Sequence, residues 1–297
     1  MGSEVFLIMQ KDVTYIALMG VKVLVNPIII VYLTLSKNFS HIMSKRLWSR
    51  EELVVTLALY FKLPFGRLNH TTKEVIELAR TIGRTANSVA LRLSNFAACD
   101  PYIINSGRHG MSGGLSICKP IWQEYEFNHE QLFYDAEIYL AKIKNQSIEN
   151  MLHIPSNAFE GKERLAVIKQ RVNQDAFRTM ILNNYNFKCA ISGIDIKSLL
   201  VASHIIPWAD NADERLNPEN GICLSPLYDK AFDSGLIGIQ PDYEIVISKE
   251  LKEHSNEDFY QQSFGVIEHR KLTLPEEHAP KQAFLQYHYD NIFASHN

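Results

Sequence analysis

The sequence has few cysteines and no paired ones. Cys99, Cys118, Cys189 and Cys223 are scattered over 297 residues, with no Cys-x-x-Cys spacing. That excludes a four-cysteine zinc knuckle and a thioredoxin-type redox pair. A disulfide framework is also excluded in a chain this long with so few cysteines, and reduced thiols in a cytosolic protein fit better. Net charge is nearly absent: the formal value of −3 predicts no polyanion partner by itself. A basic n-region and a small-residue cleavage site are missing from the N-terminus, which excludes an ordinary secretory signal. The tail histidines His278 and His288 show no metal spacing, so they read as surface or packing residues.

What is present is unevenly distributed. Residues 43–118 hold ten Lys/Arg against five Asp/Glu, a balance of +5, while residues 119–297 carry −9. A basic module joined to an acidic one directs the search for nucleic-acid contacts to the first. Hydrophobic residues make up 46% of the chain, enough for a sizeable core.

Residues 1–42 stand apart. Val13 to Leu35 is a nearly unbroken apolar run, interrupted by Lys22, Asn26 and Pro27. Its length suits a membrane span, but these three residues would be costly at mid-bilayer. Three readings stand: an apolar extension upstream of a natural start at Met43, a membrane anchor over 13–35, or an ordinary strand or helix. The first makes the protein cytoplasmic.

Residues 43–145 read as a helical domain. Ser49 with Glu52 is a capping box ahead of a helix from Arg50 to Phe61. Thr71 or Thr72 caps a second helix ending near Gly83, and Thr85 caps a third over Ala86–Phe96. Three short helices with a glycine-containing turn before the last resemble helix-turn-helix or Myb-like packing. Arg84 at the entry to that last helix and Arg92 on its body are the candidate DNA contacts, with Asn87 and Ser88 near its start. The competing reading is a small bundle with a solvated basic face. Asn105–Gly114 is a glycine-rich loop, either a phosphate clasp or a connector. Trp122–Lys144 reads as one amphipathic helix, and 146–161 as a linker.

Residues 162–297 form the second domain. A helix over Glu163–Asn183 carries Arg171 and Arg178, seven apart and hence on one face, either for phosphates or for pairing with local acids. Phe187–Ile191 reads as a strand hairpinned to Leu199–Ile206, which bears His204. Asn220-Gly221 reads as a tight turn. Ser225-Pro226 opens a short helix presenting Asp229 and Asp233, ended by Gly235. Two further strands, 236–239 and 244–247, meet across Pro241-Asp242. Helices are expected over Glu250–Gln262 and Lys281–Phe293.

The central stretch resembles the HNH endonuclease family. The match runs through Ser203-His204-Ile205-Ile206-Pro207-Trp208, then Arg215 to Gly221, then Leu227 to Gly235, and extends over about Val172 to Ile247. The N-terminal helical domain is similar to those found ahead of such nucleases in restriction-type proteins. The resemblance implies an α+β protein: an N-terminal helical (helix-turn-helix/Myb-like) domain followed by a ββα-metal nuclease domain. It implies a DNA endonuclease in restriction or defence, with His204 as general base and Asn220 holding the metal loop or orienting His204. Asp229 is implied as a ligand for Mg²⁺ or Mn²⁺, with Asp233 or Asp210 supplying a further one. Asp233 reads equally as a carboxylate that caps or pairs within the fold. Three departures stand out. Ser203 replaces an aspartate that many members carry, Tyr228 replaces a histidine, and Ser192 replaces the second cysteine of a zinc-binding pair. No structural zinc and no small-molecule cofactor are therefore expected. A double-strand cut would call for a homodimer. The competing class is an HNH-fold DNA-binding protein that has lost metal affinity.

Overall fold

The computed structural model describes residues 6–10, 13–18, 21–25, 46–155 and 161–294. The readings that concern 26–42, the start at Met43 and part of the 146–161 stretch fall on residues outside this set.

The described residues within 1–25 form strands, two of them inside the apolar run. β1 (Phe6–Gln10), β2 (Val13–Leu18) and β3 (Val21–Val25) make an antiparallel meander. Their β-branched and aliphatic content favours the pleated surface over a helix. Among the described residues no helix is long and apolar enough to cross a membrane.

The helical region follows: α1 (Arg50–Lys62), α2 (Lys73–Thr81), α3 (Ala86–Ala97), α4 (Pro101–Asn105), α5 (Leu115–Tyr125), α6 (His129–Ile143) and α7 (Ile148–Met151). The Ser49/Glu52 capping box forms in both directions, and the Thr85 hydroxyl accepts from the Ser88 amide. The single helix expected over Trp122–Lys144 is two, α5 and α6. A turn at 126–128 separates them, and Asn128 caps α6 through the Gln131 amide. Asn128 competes for the backbone there, which a count of apolar spacing does not register.

The second region opens with α8 (Gly161–Asn184), a helix of 24 residues. It packs on α1 and α6 on one side and on the nuclease-like hairpin on the other. One contiguous core runs from Leu53 through Phe177 to Leu285. The hairpin is built from β4 (Val201–His204) and β5 (Gly221–Leu224), antiparallel, with His204 opposite Gly221. This corrects the expected pairing. Phe187–Ile191 is not a strand but a turn, in which the Cys189 amide donates to Ile194 O and the Gly193 amide to Cys189 O. Asn186 and Phe187 both sit at positive φ there, which breaks the extended run. Gly221 begins β5 rather than turning the chain, after a short 3₁₀ turn over Pro218–Asn220.

The helix α9 (Pro226–Asp233) returns across the hairpin, and Gly235 at φ 66° ends it. β6 (Ile237–Ile239) and β7 (Ile245–Ile247) form the expected second hairpin. The helix expected over Glu250–Gln262 is interrupted. α10 (Lys249–Glu253) and α11 (Asp258–Tyr260) are separate, and α12 (Gln282–His288) closes the described chain together with a π-type turn over 289–293. The mixed helices and small two-stranded sheets make an α+β protein.

Candidate active site

His204 lies at the end of β4, and its surroundings fix its tautomer. Its Nε2 is 3.0 Å from the Arg215 carbonyl oxygen. A carbonyl only accepts, so Nε2 carries the proton and Nδ1 keeps the lone pair. The ring stacks on Phe177 of α8, with centroids 3.6 Å apart and planes 12° off parallel, and meets Trp208 edge-on at 5.5 Å. Gly221 makes this approach possible. A Cβ there would fall 2.3 Å from Ile181 Cδ1 and 2.7 Å from Phe177 Cζ. Burial pushes the His204 imidazole below its ordinary range, against the Arg215 carbonyl bond that raises it. His204 is therefore neutral near pH 7.

Asn220 is 1% exposed and ties down the loop that follows His204. Its Oδ1 accepts from the Ile206 amide at 2.8 Å, and its Nδ2 donates to Ile206 O at 3.2 Å and Glu214 O at 3.1 Å. Its backbone carbonyl takes the Ile205 amide. The amide thus touches the loop and not the His204 ring. Arg215 closes the same loop, with Nε on Trp208 O at 2.8 Å and its guanidinium over the Trp208 ring.

Strand alternation sends Ser203 the opposite way from His204, towards α9. The Ser203 hydroxyl is buried without a hydrogen bond of standard geometry. It lies near enough to Asp229 to favour that carboxylate, although partial burial raises the Asp229 pKa overall. Asp233, one turn on, is pushed up to about 6 by desolvation and then by Asp229, with Lys230 opposing. Asp233 shows its outer edge to solvent, and of the two carboxyls only Asp233 is raised by the charge of the other. Asp210 is exposed and accepts from Tyr287 at 3.3 Å. Tyr228 is buried with its hydroxyl on Ser263 O, a packing role. The Cys189 Sγ accepts from the Ser192 and Ser225 amides at 3.3 and 3.2 Å. Among the described residues no group of three or more His, Cys, Asp or Glu is placed to hold a metal ion.

The four arginines fall in two places. Arg171 is exposed and Arg178 half-buried on α8, the latter next to Phe177. Arg84 is far from this site and buried. It pairs with Glu52 at 2.7 Å, donates to the Arg46 and Leu47 carbonyls and lies over Trp48, so in this structure it faces inward and not towards a DNA surface. Arg92 is drawn onto Asn95 and the same Trp48 ring. Arg108, in the loop expected to clasp phosphate or merely connect, is held by Glu277. Phe177, which stacks on His204, carried no signal beyond an apolar helix position, and Arg215 stood in the family motif without its role towards His204 being marked.

With this geometry in view, residues 189–240 match the family model described as HNH endonuclease. The match takes in the Cys189 turn, the β4–β5 hairpin, the loop between them and α9, and this part of the chain is similar to the HNH endonuclease family. It points to nuclease activity in general and to DNA as the substrate class, and HNH nucleases generally use a divalent metal ion. No curated protein matches the chain.

Proposed function

We propose that the protein is a metal-dependent DNA endonuclease with His204 as general base. The observation that carries this reading is the neutral, oriented imidazole: Nε2–H held by a carbonyl, the ring clamped on Phe177, and Nδ1 left with its lone pair. In phosphodiester hydrolysis such a nitrogen takes a proton from the attacking water. Asn220 and Arg215 act as positioning residues, holding the loop whose carbonyl sets the tautomer. Arg178 and Arg171, on the helix that carries Phe177, would meet phosphates of the bound strand.

The donor set fits a hard divalent ion. Asp229 and Asp233 are carboxylates one turn apart, the Asp229 charge helping to raise the Asp233 pKa, and the buried Ser203 hydroxyl lies beside Asp229. An ion such as Mg²⁺ or Mn²⁺ takes few protein oxygens and keeps several waters. When bound, it would neutralise charge developing on the phosphate and the leaving oxygen. Residues 43–145 would then serve as the DNA-binding domain, helix-turn-helix in its α2–α3 arrangement, with Arg80 and Asn87 on its surface in place of Arg84. Residues 146–161 would be the linker and 162–297 the nuclease domain, in a cytoplasmic restriction or defence protein acting as a dimer when both strands are cut.

Supercoiled plasmid incubated with the protein and Mg²⁺, Mn²⁺ or EDTA tests this. Conversion to nicked or linear forms with either metal and none with EDTA is expected. Retained DNA binding with no conversion in any lane would favour the competing reading, a DNA-binding protein that has lost metal affinity through Ser203 and Tyr228. Protection of plasmid bearing modified bases would support the restriction role.

A further inference from the structure

A cavity of about 240 Å³ lies between the helical region and the HNH segment, away from Asp229 and Asp233. It is smaller than the roughly 300–1,000 Å³ usual for drug-sized ligands, which limits a guest to about one heterocycle. Two aromatic pairs line it. Phe61 lies 4.2 Å from His129, and Tyr102 stacks on His278 at 4.0 Å and 24°. Burial lowers the pKa of both imidazoles, His129 to about 4, so these walls are uncharged near pH 7.

The polar groups are mostly acceptors. Asp100 and Glu277 face the cavity as carboxylates, already ordered by Tyr60 and by the Phe65 amide and Arg108. Asn184 is 7% exposed and lines the same space, and its Oδ1 is buried with no hydrogen-bond partner. A buried carbonyl without a donor costs about 1–3 kcal/mol, which a ligand donor would recover. Lys62 also lines the cavity but pairs with Glu137 at 3.5 Å, and the wall carboxylates repel a phosphate. Flat aromatic walls, two carboxylates and the one unpartnered acceptor, Asn184 Oδ1, together call for a planar ring bearing an amino group.

We propose that this cavity is a binding site for an amino-bearing nucleobase, adenine or cytosine in kind. The floor is formed by residues 216–219, directly after Arg215, whose carbonyl holds His204. A base extruded from DNA and a free nucleoside share this chemistry. The site does not depend on cleavage, so it stands or falls separately from the nuclease reading.

The test uses the full chain. Adenosine, cytidine, inosine and uridine are titrated calorimetrically, and a duplex carrying one 2-aminopurine is followed by fluorescence. Saturable binding of adenosine or cytidine is expected, with the carbonyl counterpart at least about tenfold weaker, because an acceptor then faces acceptors. Tyr102→Leu, on an exposed short helix, removes one stacking wall and should weaken binding at least tenfold with the circular dichroism unchanged. Asn184→Leu should do the same if it folds. A rise in 2-aminopurine fluorescence, lost in Tyr102→Leu, identifies the guest as a base drawn from DNA. Nucleoside binding without that rise identifies a free nucleoside. Equal affinity for all four nucleosides, or no saturable binding together with no fluorescence rise, overturns the proposal.

Discussion

At the scale of residues, Arg84 shows how a side chain's type can mislead. A basic residue at the entrance of a candidate recognition helix reads as a phosphate contact. In the structure it neutralises Glu52, the residue that also closes the capping box at Ser49. Removing Arg84 leaves the buried Glu52 with only the more exposed Arg46 as a counter-charge, at a cost of up to about 3–5 kcal/mol. Arg84→Ala should therefore lower the denaturation midpoint strongly, while affinity for DNA measured well below that midpoint stays unchanged. A loss of DNA affinity in a stably folded variant would return Arg84 to the interface. His204 is the opposite case. Its identity was legible from the motif, but its tautomer was not, because the Arg215 carbonyl reaches it from eleven positions along the chain. The same holds for Asn220, whose three side-chain bonds all go to backbone atoms that no sequence pattern marks.

Among the elements, those with their own signals were legible. α1 with its capping box, α3 behind Thr85, α9 between Ser225-Pro226 and Gly235, and the β6–β7 hairpin follow from local chemistry. The β4–β5 pairing does not, since the sixteen residues between the strands carry no hairpin turn and Phe187–Ile191 offered a nearer apolar partner. What sets the register is the loop clamp. Asn220 binds Ile206 through both amide ends and Glu214 through Nδ2. Asn220→Ala removes these bonds from a buried site and should destabilise the fold by about 1–3 kcal/mol. It should also speed hydrogen exchange at the Ile206 amide and lower kcat more than it raises KM. Unchanged exchange at Ile206 would show that the loop is held by other means.

Residues 46–155 and 161–294 are joined by α8 and by one continuous core, so their response to acid is shared. His129 and His288 are pushed down to about 4 by burial, and His204 and His278 are lowered in the same way. Above pH about 6.5 these groups are neutral whether folded or not and contribute nothing. Below it the unfolded chain binds protons that the native form refuses, so stability falls towards pH 4. Asp233 opposes this. Raised to about 6, it costs stability while ionised and is relieved as pH falls through that value. Four histidines outweigh the Asp229–Asp233 pair, and the urea midpoint should drop between pH 7 and pH about 4.5. His288→Phe, which keeps the stack on Phe232, should flatten that drop. A midpoint that holds or rises on acidification would contradict the burial described for these rings.

The central claim is that His204 is the base, and the pH dependence of plasmid nicking at saturating Mn²⁺ tests it most directly. Because His204 must be neutral and its pKa is lowered, the wild-type rate should rise with pH along a limb centred below about 6.5 and be level by pH 7. His204→Ala should lose both the limb and at least about 100-fold in rate. A His204→Ala enzyme that nicks at the wild-type rate along the same limb would contradict the account.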